Sequence, residues 1–431
     1  MPWTPGRQGV VEVGSAALAD RWRGFDESIF SRISREARRL GAVNLAQGFP
    51  DFPGPSALLG SVSAAVQSCS NQYAPTPGTP SLLTALQGFV AQTLELSWLP
   101  GTEPGLAVTA GATEAVFCLV MGVVNPGDRV LSFEPYYESY RQAVAAAGGE
   151  FVPIRLVAPS PDNPGEGWQI DWDEFRAASA LPFRCLIINT PHNPTGMSLS
   201  CDQIQRVLDA CRRRGATLIS DEVYEQIYFG ERPASLMDVA TQDDLWARVS
   251  SAAKSFGFTG FKLGWIHGHT QVVQAAMRVH EAIMFCVPTA IQEGFAAYLH
   301  NTEAVFRYLD DQRALYRRLR NKLLDGLNGC GFVTGEPPSG AYFVTASAIG
   351  LSKPGEKDVS LVQRLLDEAA IAALPISALC TPRSLSVPRL QLPWDEMHWL
   401  RFAFCKQDVV IDRALENLAK WQSSHGPASR A

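Results

Sequence analysis

The chain has 431 residues, 46% of them hydrophobic and 19% charged. That composition fits a globular protein with a large core, in two or three domains or one large domain with a satellite, and excludes a disordered chain. With 37 basic and 43 acidic residues the net charge is −6, so no broad basic field invites nucleic acid and no run of like charge forms a tail.

The first residues, MPWTPGRQGVVEV, carry no apolar core of signal-peptide length. No stretch approaches the roughly 18 apolar residues that a membrane span needs. Arg35, Arg38 and Arg39 read as the solvated face of a helix. From about Asn71 onward, short β-rich runs alternate with helical ones. LAVTAG (106–111), DRVLSF (128–133), GEFVPIRL (149–156), FRCLIINT (183–190), ATLISDEVY (216–224), RVSSAAK (248–254) and GWIHG (264–268) predict seven strands. Helices between them imply an α/β fold with a mostly parallel sheet covered on both faces. PSPDNPGEG (159–167) reads as a surface loop. A long helical stretch is expected from about Thr289 to Leu327, followed by short strands near GFVTG, AYFVTA and LRFAFC, the look of a smaller α+β domain. The expected division is an N-terminal arm (1–43), a small domain (44–70 and 315–431) and a large domain (71–314). Nine scattered cysteines, an odd number with no C-x-x-C, read as reduced core residues of a cytoplasmic protein. His267 and His269 form an HxH pair without a third ligand at useful spacing, so no metal is expected.

In a sheet of this kind ligands bind beyond the carboxyl ends of the strands. Ala110-Gly111-Ala112-Thr113 follows the first strand and Glu134-Pro135-Tyr136-Tyr137 the second. Asn193 follows the fourth, Asp221 and Tyr224 the fifth, and Lys254 the sixth. Lys254 stands among small and apolar residues in SSAAKSFGFTGFKLGW, where a lysine is costly unless it is paired or reacting. Pyridoxal 5′-phosphate needs a lysine for a Schiff base, an acid at its pyridine nitrogen and a phosphate cradle. Lys254 supplies the amine, its pKa lowered by desolvation. Asp221 supplies the acid. Asn193 and Tyr224 can bond the ring oxygen and Tyr137 can stack on the ring. The helix start at Gly111-Ala112-Thr113 offers N–H groups to phosphate, with Ser251 and Lys262 beside it.

Taken together, NLAQGFPDFPGP (44–55), YAPTPGTPSL, TAGATEAVF, EPYYESY, NTPHNPTG, SDEVYE, the Lys254 segment and LRFAFCK resemble a class I/II aminotransferase of fold type I. The branch is that of kynurenine–oxoglutarate aminotransferase, cysteine-S-conjugate β-lyase and methionine aminotransferase. The likeness runs from about Phe25 to Trp421. It implies Lys254 as Schiff-base lysine and proton shuttle, and Asp221 as partner of the pyridine nitrogen. Asn193 and Tyr224 would tune the cofactor, Tyr137 would stack on it, and Ala112, Thr113, Ser251 and Lys262 would hold its phosphate. It further implies that Tyr73 reaches the neighbouring subunit's phosphate in a homodimer. Arg401 would clamp the substrate carboxylate, with Gly48 and Phe30 lining the substrate pocket. The chain departs from the family at Lys262, where arginine is frequent, at Ala253, where serine is frequent, and over 381–399, which matches no motif.

The reading is therefore an aminotransferase with ping-pong kinetics. Its donor is expected to be apolar, aromatic or sulfur-containing, because Phe30, Phe49, Tyr73 and Tyr137 surround the pocket and no second arginine is evident. A β- or γ-elimination or replacement enzyme on the same cofactor stays open. A regulator with an aminotransferase-like sensor domain is disfavoured, since no helix-turn-helix pattern precedes the fold.

Overall fold

Residues 18–95, 105–160, 163, 165–381 and 398–425 are described by the computed structural model. The chain enters through helix α1 (Ile29–Leu40) and strand β1 (Val43–Asn44), followed by helices α2 (Ser56–Ser68) and α3 (Pro80–Leu94). The central sheet comprises β2 (Leu106–Thr109), β3 (Arg129–Glu134), β4 (Glu150–Val157), β5 (Gln169–Ile170), β6 (Cys185–Asn189), β7 (Thr217–Asp221), β8 (Trp246–Ser251) and β9 (Gly264–Gly268). Helices α4 (Ala112–Val123), α5 (Ser139–Ala147), α6 (Trp172–Ala180), α7 (Cys201–Arg214) and the single turn α8 (Ala252–Ser255) lie between these strands. Helices α9 (Thr270–Ile283), α10 (Thr289–Leu299) and α11 (Thr302–Gly329) lead out of it. The remainder is β10 (Val333–Thr334), β11 (Phe343–Ser347), α12 (Asp358–Ala369), β12 (Ile371–Ala372), β13 (Leu374–Pro375), β14 (Trp399–Ala403) and α13 (Asp408–His425).

The large sheet runs β2-β9-β8-β7-β6-β3-β4-β5. The pairs β3–β4, β3–β6, β6–β7 and β7–β8 are parallel, and the flanking pairs β2–β9, β8–β9 and β4–β5 are antiparallel. Among the described residues it therefore has eight strands where the sequence predicted seven. The extra strand, β5, is a two-residue edge that pairs Ile170 with Leu156, too short to leave a periodic pattern. The helical stretch expected over 289–327 is two helices, broken at Asn301, whose side chain caps α11 by accepting from Ala304 N. The strand read as 248–254 ends at Ser251, and Lys254 stands on α8.

Strands β6, β7 and β8 are buried along their whole length, which is why they read as near-continuous apolar runs. Helix α7 is closed by a Ser200/Gln203 capping box at one end and by Gly215 at φ 61° at the other. Such short connections keep the strand ends in register. Asn189 and Asp221 are Cα partners at the ends of β6 and β7, so two polar side chains leave the sheet side by side.

A second sheet, β10-β11-β14-β13, is antiparallel, and β1 pairs in parallel with β12. Its core joins both ends of the chain: Ile29 and Ile33 of α1 pack in the same cluster as Leu319, Phe402 and Leu418. Leu58 and Val62 of α2 lie instead in the core around the large sheet. Arg401 sits mid-strand on β14, opposite Thr345 and Leu374. The second sheet thereby carries one cationic side chain toward the ends of β6 and β7.

Candidate active site

A cavity of about 380 Å³ opens where the two sheets meet. Lys254, Asp221, Tyr224, Gly111, Ala112, Thr113, Tyr137, Asn193, Ser251, Lys262, Arg401, Gly48 and Phe30 all line it, and Ala253 does too. Of the residues singled out in the sequence, Tyr73 is the one set apart. It is 83% exposed, and its ring stands edge-on to Phe285 with centroids 5.1 Å apart.

Lys254 is delivered by α8, directly after β8. Its Nζ donates to the Gly48 carbonyl at 3.3 Å and lies 5.9 Å from the ring centroids of Tyr224 and Tyr342. Burial lowers its ammonium pKa to about 8, with Arg401 and Lys262 adding repulsion and Asp221 opposing the shift. Tyr342 shares the Gly48 carbonyl, donating to it at 2.6 Å. A Cβ on Gly48 would come within 2.7 Å of Phe343 Cζ, so a larger residue here would have to push that buried ring aside.

Asp221 ends β7. Burial raises its carboxyl pKa to about 6, against hydrogen bonds from Tyr140 and the Val223 N–H that favour the anion. Tyr140 Oη donates to Oδ2 at 2.6 Å and Val223 N to Oδ1 at 3.3 Å. Asn189 locks the neighbouring backbone: its Nδ2 donates to Asp221 O at 2.7 Å while its Oδ1 accepts from Asn193 N at 2.7 Å. Asn193 in turn accepts from Arg401 Nη1 at 2.7 Å. Burial also pushes the phenols of Tyr224 and Tyr137 up, so both stay neutral donors.

Arg401 is 1% exposed, and burial lowers its pKa to about 10, which leaves it charged at neutral pH. Its Nη2 donates to Ala46 O, and its guanidinium carbon stands 4.1 Å from the Phe343 ring centroid and 5.2 Å from that of Phe30. Its Nε is buried without a hydrogen-bond partner among the described residues. A charged donor left over in an aromatic frame is suited to a carboxylate brought in by a ligand.

At the opposite wall Gly111 (φ 87°) turns β2 into α4, and the first turn of that helix lines the cavity. Lys262, itself at φ 53°, brings Nζ within 3.5 Å of where a Gly111 Cβ would stand. Glu114 holds the turn by accepting from Ala110 N at 2.5 Å and meeting His280 Nδ1 at 2.6 Å. Free N–H groups, a helix N-terminus and an adjacent ammonium make an anion cradle. Phosphate here, a pyridinium at Asp221 and an aldehyde at Lys254 are the three demands of pyridoxal 5′-phosphate, and the residues present fit them.

Sequence reasoning missed Tyr140, Tyr342 and Gly264, and placed Asn189 at the end of the fourth strand without giving it a role. Tyr140 stands one helical turn after Tyr137 in EPYYESY, a spacing that places both on one face. Tyr342 and Gly264 carry no such signal. Of the HxH pair, His267 is fully buried, burial lowers its pKa to about 3, and His269 caps α9 by accepting from Gln271 N. Most of the unmatched stretch 381–399 lies outside the described residues; at its start Thr381 N donates to Glu134 at 2.6 Å.

Fold and site together define a fold type I, pyridoxal-phosphate-dependent enzyme. Residues 41–418 match the family described as aminotransferase class I and II, and the chain belongs to that family. It is similar to a probable N-succinyldiaminopimelate aminotransferase of Mycobacterium tuberculosis, 34% identical over 93% of this chain and 97% of that protein. The solved structure of the M. tuberculosis N-succinyldiaminopimelate aminotransferase superposes with a TM-score of 0.84 at 32% identity, over 94% of this chain and all of that one. The Escherichia coli methionine aminotransferase is 33% identical over 91% of this chain and 95% of its own length. A Dictyostelium discoideum kynurenine–oxoglutarate transaminase is 30% identical over 92% and 94%. The protein is an aminotransferase, and its cofactor is pyridoxal 5′-phosphate.

Proposed function

We propose that this aminotransferase takes an apolar, aromatic or sulfur-containing L-amino acid as donor and a 2-oxo acid as acceptor. The observation that carries the reading is one cavity holding a low-pKa lysine, a buried acid and a single buried guanidinium among aromatic rings. When bound, the cofactor withdraws electrons from the substrate Cα–H bond. Lys254 would hold the cofactor's aldehyde carbon and would move the proton at the substrate Cα; in the structure its amine donates to the Gly48 carbonyl. Asp221 would hold the proton on the pyridine nitrogen, and Asn193 and Tyr224 the ring oxygen. Tyr137 would cover the ring, while Ala112, Thr113, Ser251 and Lys262 would hold phosphate.

Arg401 binds the substrate carboxylate, with Asn193 fixing its fork. Phe30, Phe49 and Phe343 then face the donor side chain, and Arg401 is the one arginine among the described cavity residues. A second carboxylate on the donor would find no second guanidinium among the described cavity residues. The names of the methionine and kynurenine enzymes among the relatives agree with this pocket.

Tyr73 (83% exposed), Phe285 (45%) and Ile283 (53%) form an apolar patch. It supports a homodimer in which Tyr73 reaches the partner's phosphate. The cores around the two sheets support a small and a large unit, but with α1 of the expected 1–43 arm packed in the small unit's core and α2 of the expected 44–70 segment packed on the large one. Among the described residues no helix is long and apolar enough to cross a membrane. All nine cysteines are unpaired, which suits a reducing cytoplasm.

The test is the absorbance of protein loaded with pyridoxal phosphate, on adding methionine, phenylalanine or kynurenine without acceptor. Conversion of the cofactor to its amine form, with one equivalent of oxo acid and no ammonia, supports the reading. Ammonia with a released thiol, or no chromophore with added cofactor, overturns it.

A further inference from the structure

Behind the cavity, on the face of β8 away from it, lies a charged cluster that the reaction does not touch. Arg248 of β8 is wholly buried, and the carboxylates of Glu222 and Glu225 are 2% and 4% exposed. Arg248 Nε donates to Glu222 Oε2 at 2.6 Å, and its Nη2 forms an ion pair with Glu225 Oε2 that lacks hydrogen-bond geometry, so Nη1, Nη2 and that Oε2 have no hydrogen-bond partner among the described residues. Glu222 is saturated: Oε1 also accepts from Ser220 Oγ (2.7 Å) and Leu236 N (2.8 Å), and Oε2 from Ser235 Oγ (2.6 Å). Ser250 Oγ donates to the other oxygen of Glu225. His267, paired with Arg248 across β8–β9, is neutral, so two carboxylates face one guanidinium.

A buried ion cluster of this kind is a poor source of stability, because desolvation offsets the attraction and apolar replacement is often neutral or better. Its placement is the informative part. Glu222 directly follows Asp221, and Glu225 directly follows Tyr224. Arg248 and Ser250 alternate with Ser251, which faces the cavity three residues before Lys254. Residues 222–227 form a turn closed by Glu225 N to Glu222 O and Ile227 N to Tyr224 O; among the described residues its backbone is bonded to other segments at its two ends, Glu222 N to Val249 O of β8 and Ala341 N to Ile227 O. The cluster ties that turn to β8 from the rear.

We propose that Arg248, Glu222 and Glu225 are positioning residues that lock the Asp221–Tyr224 turn against β8, so that Asp221, Tyr224 and Lys254 meet the cofactor together. This rests on the reading of those three as cofactor contacts. A guanidinium reaching two carboxylates in different directions admits one arrangement of the turn, where an apolar contact would admit several.

The test compares the wild type with Glu225→Gln and with the charge-free triple variant Glu222→Gln/Glu225→Gln/Arg248→Met. Three quantities are read: apoprotein melting temperature, pyridoxal phosphate Kd by titration, and the circular dichroism of the bound cofactor, which reports its orientation. The expected triple variant keeps or raises the melting temperature while its Kd rises about tenfold or more and the cofactor dichroism changes, since small misplacements of a site are costly. Glu225→Gln is expected to raise Kd by about fivefold, the equivalent of one lost contact. If the triple variant fails to fold, Glu225→Gln decides alone. Folded variants with Kd within about twofold of wild type and unchanged dichroism overturn the clamp. If the wild type itself binds no pyridoxal phosphate, the site reading fails and the clamp falls with it.

Discussion

Tyr140 Oη donates to Asp221 Oδ2 at 2.6 Å, and both side chains are buried. A phenol gives a hydrogen bond without bringing a charge. The negative charge of Asp221 therefore stays available to a cationic ring nitrogen. Tyr140→Phe should remove a bond worth about 1.5–3 kcal/mol to the ionised acid and move the Asp221 pKa further above about 6. Cofactor affinity near pH 7 should fall about tenfold and recover in part as pH rises. Titrating pyridoxal phosphate into both proteins across that range checks it; parallel curves would remove Tyr140 from the site.

Lys254 costs the apoprotein stability at neutral pH. Its pKa is about 8 in the fold against an ordinary 10.5. Between those values the unfolded chain binds more protons, so stability rises with pH across that window. The apo Lys254→Met variant should exceed wild type by about 2 kcal/mol at pH 7, cavity water offsetting part of the burial cost. The advantage should shrink above pH 8 and vanish by about pH 10.5. Urea unfolding at several pH values measures this, and turnover of the variant should be absent. Equal stabilities at pH 7 would contradict the burial of the amine.

Arg401 is held by Asn193 and Ala46, with Nε left over. Lysine cannot reproduce that fork. Arg401→Lys should lower kcat/KM for amino and oxo acids by about a hundredfold, while pyridoxal phosphate affinity changes little. A matching loss of cofactor affinity would show that the residue acts on the whole site.

Gly264 sits where β9 passes the cradle. A Cβ there would lie 2.7 Å from the Gly111 carbonyl carbon and 2.8 Å from Ala112 N, both backbone atoms that cannot rotate aside. Gly264→Ala should weaken pyridoxal phosphate binding by about tenfold or more, at an overpacking cost of about 1–3 kcal/mol. Gly230→Ala, which meets nothing within 4 Å, should bind normally. Similar affinities in the two variants would place the cradle elsewhere.

The sequence by itself determined most of the strand–helix order, the cofactor class and a set of residues that share one cavity. It could do so because parallel strands end on one rim, so residues just after successive strands converge whatever their separation in the chain. Runs such as CLIIN and TLISD announce buried strands, and Asn189, Asn193 and Asp221 follow from where those strands stop. What the tertiary structure decided are contacts set by which side a chain approaches from. Lys254 meets the carbonyl of Gly48, 206 residues away, and Tyr140 meets Asp221 across 81. Gly264 is required by the backbone of the turn between β2 and α4, and Arg248 by two acids beyond the strand beside its own. Local periodicity records which face of an element is buried, but not which atoms of a distant segment lie against it. That information exists once the two sheets have packed.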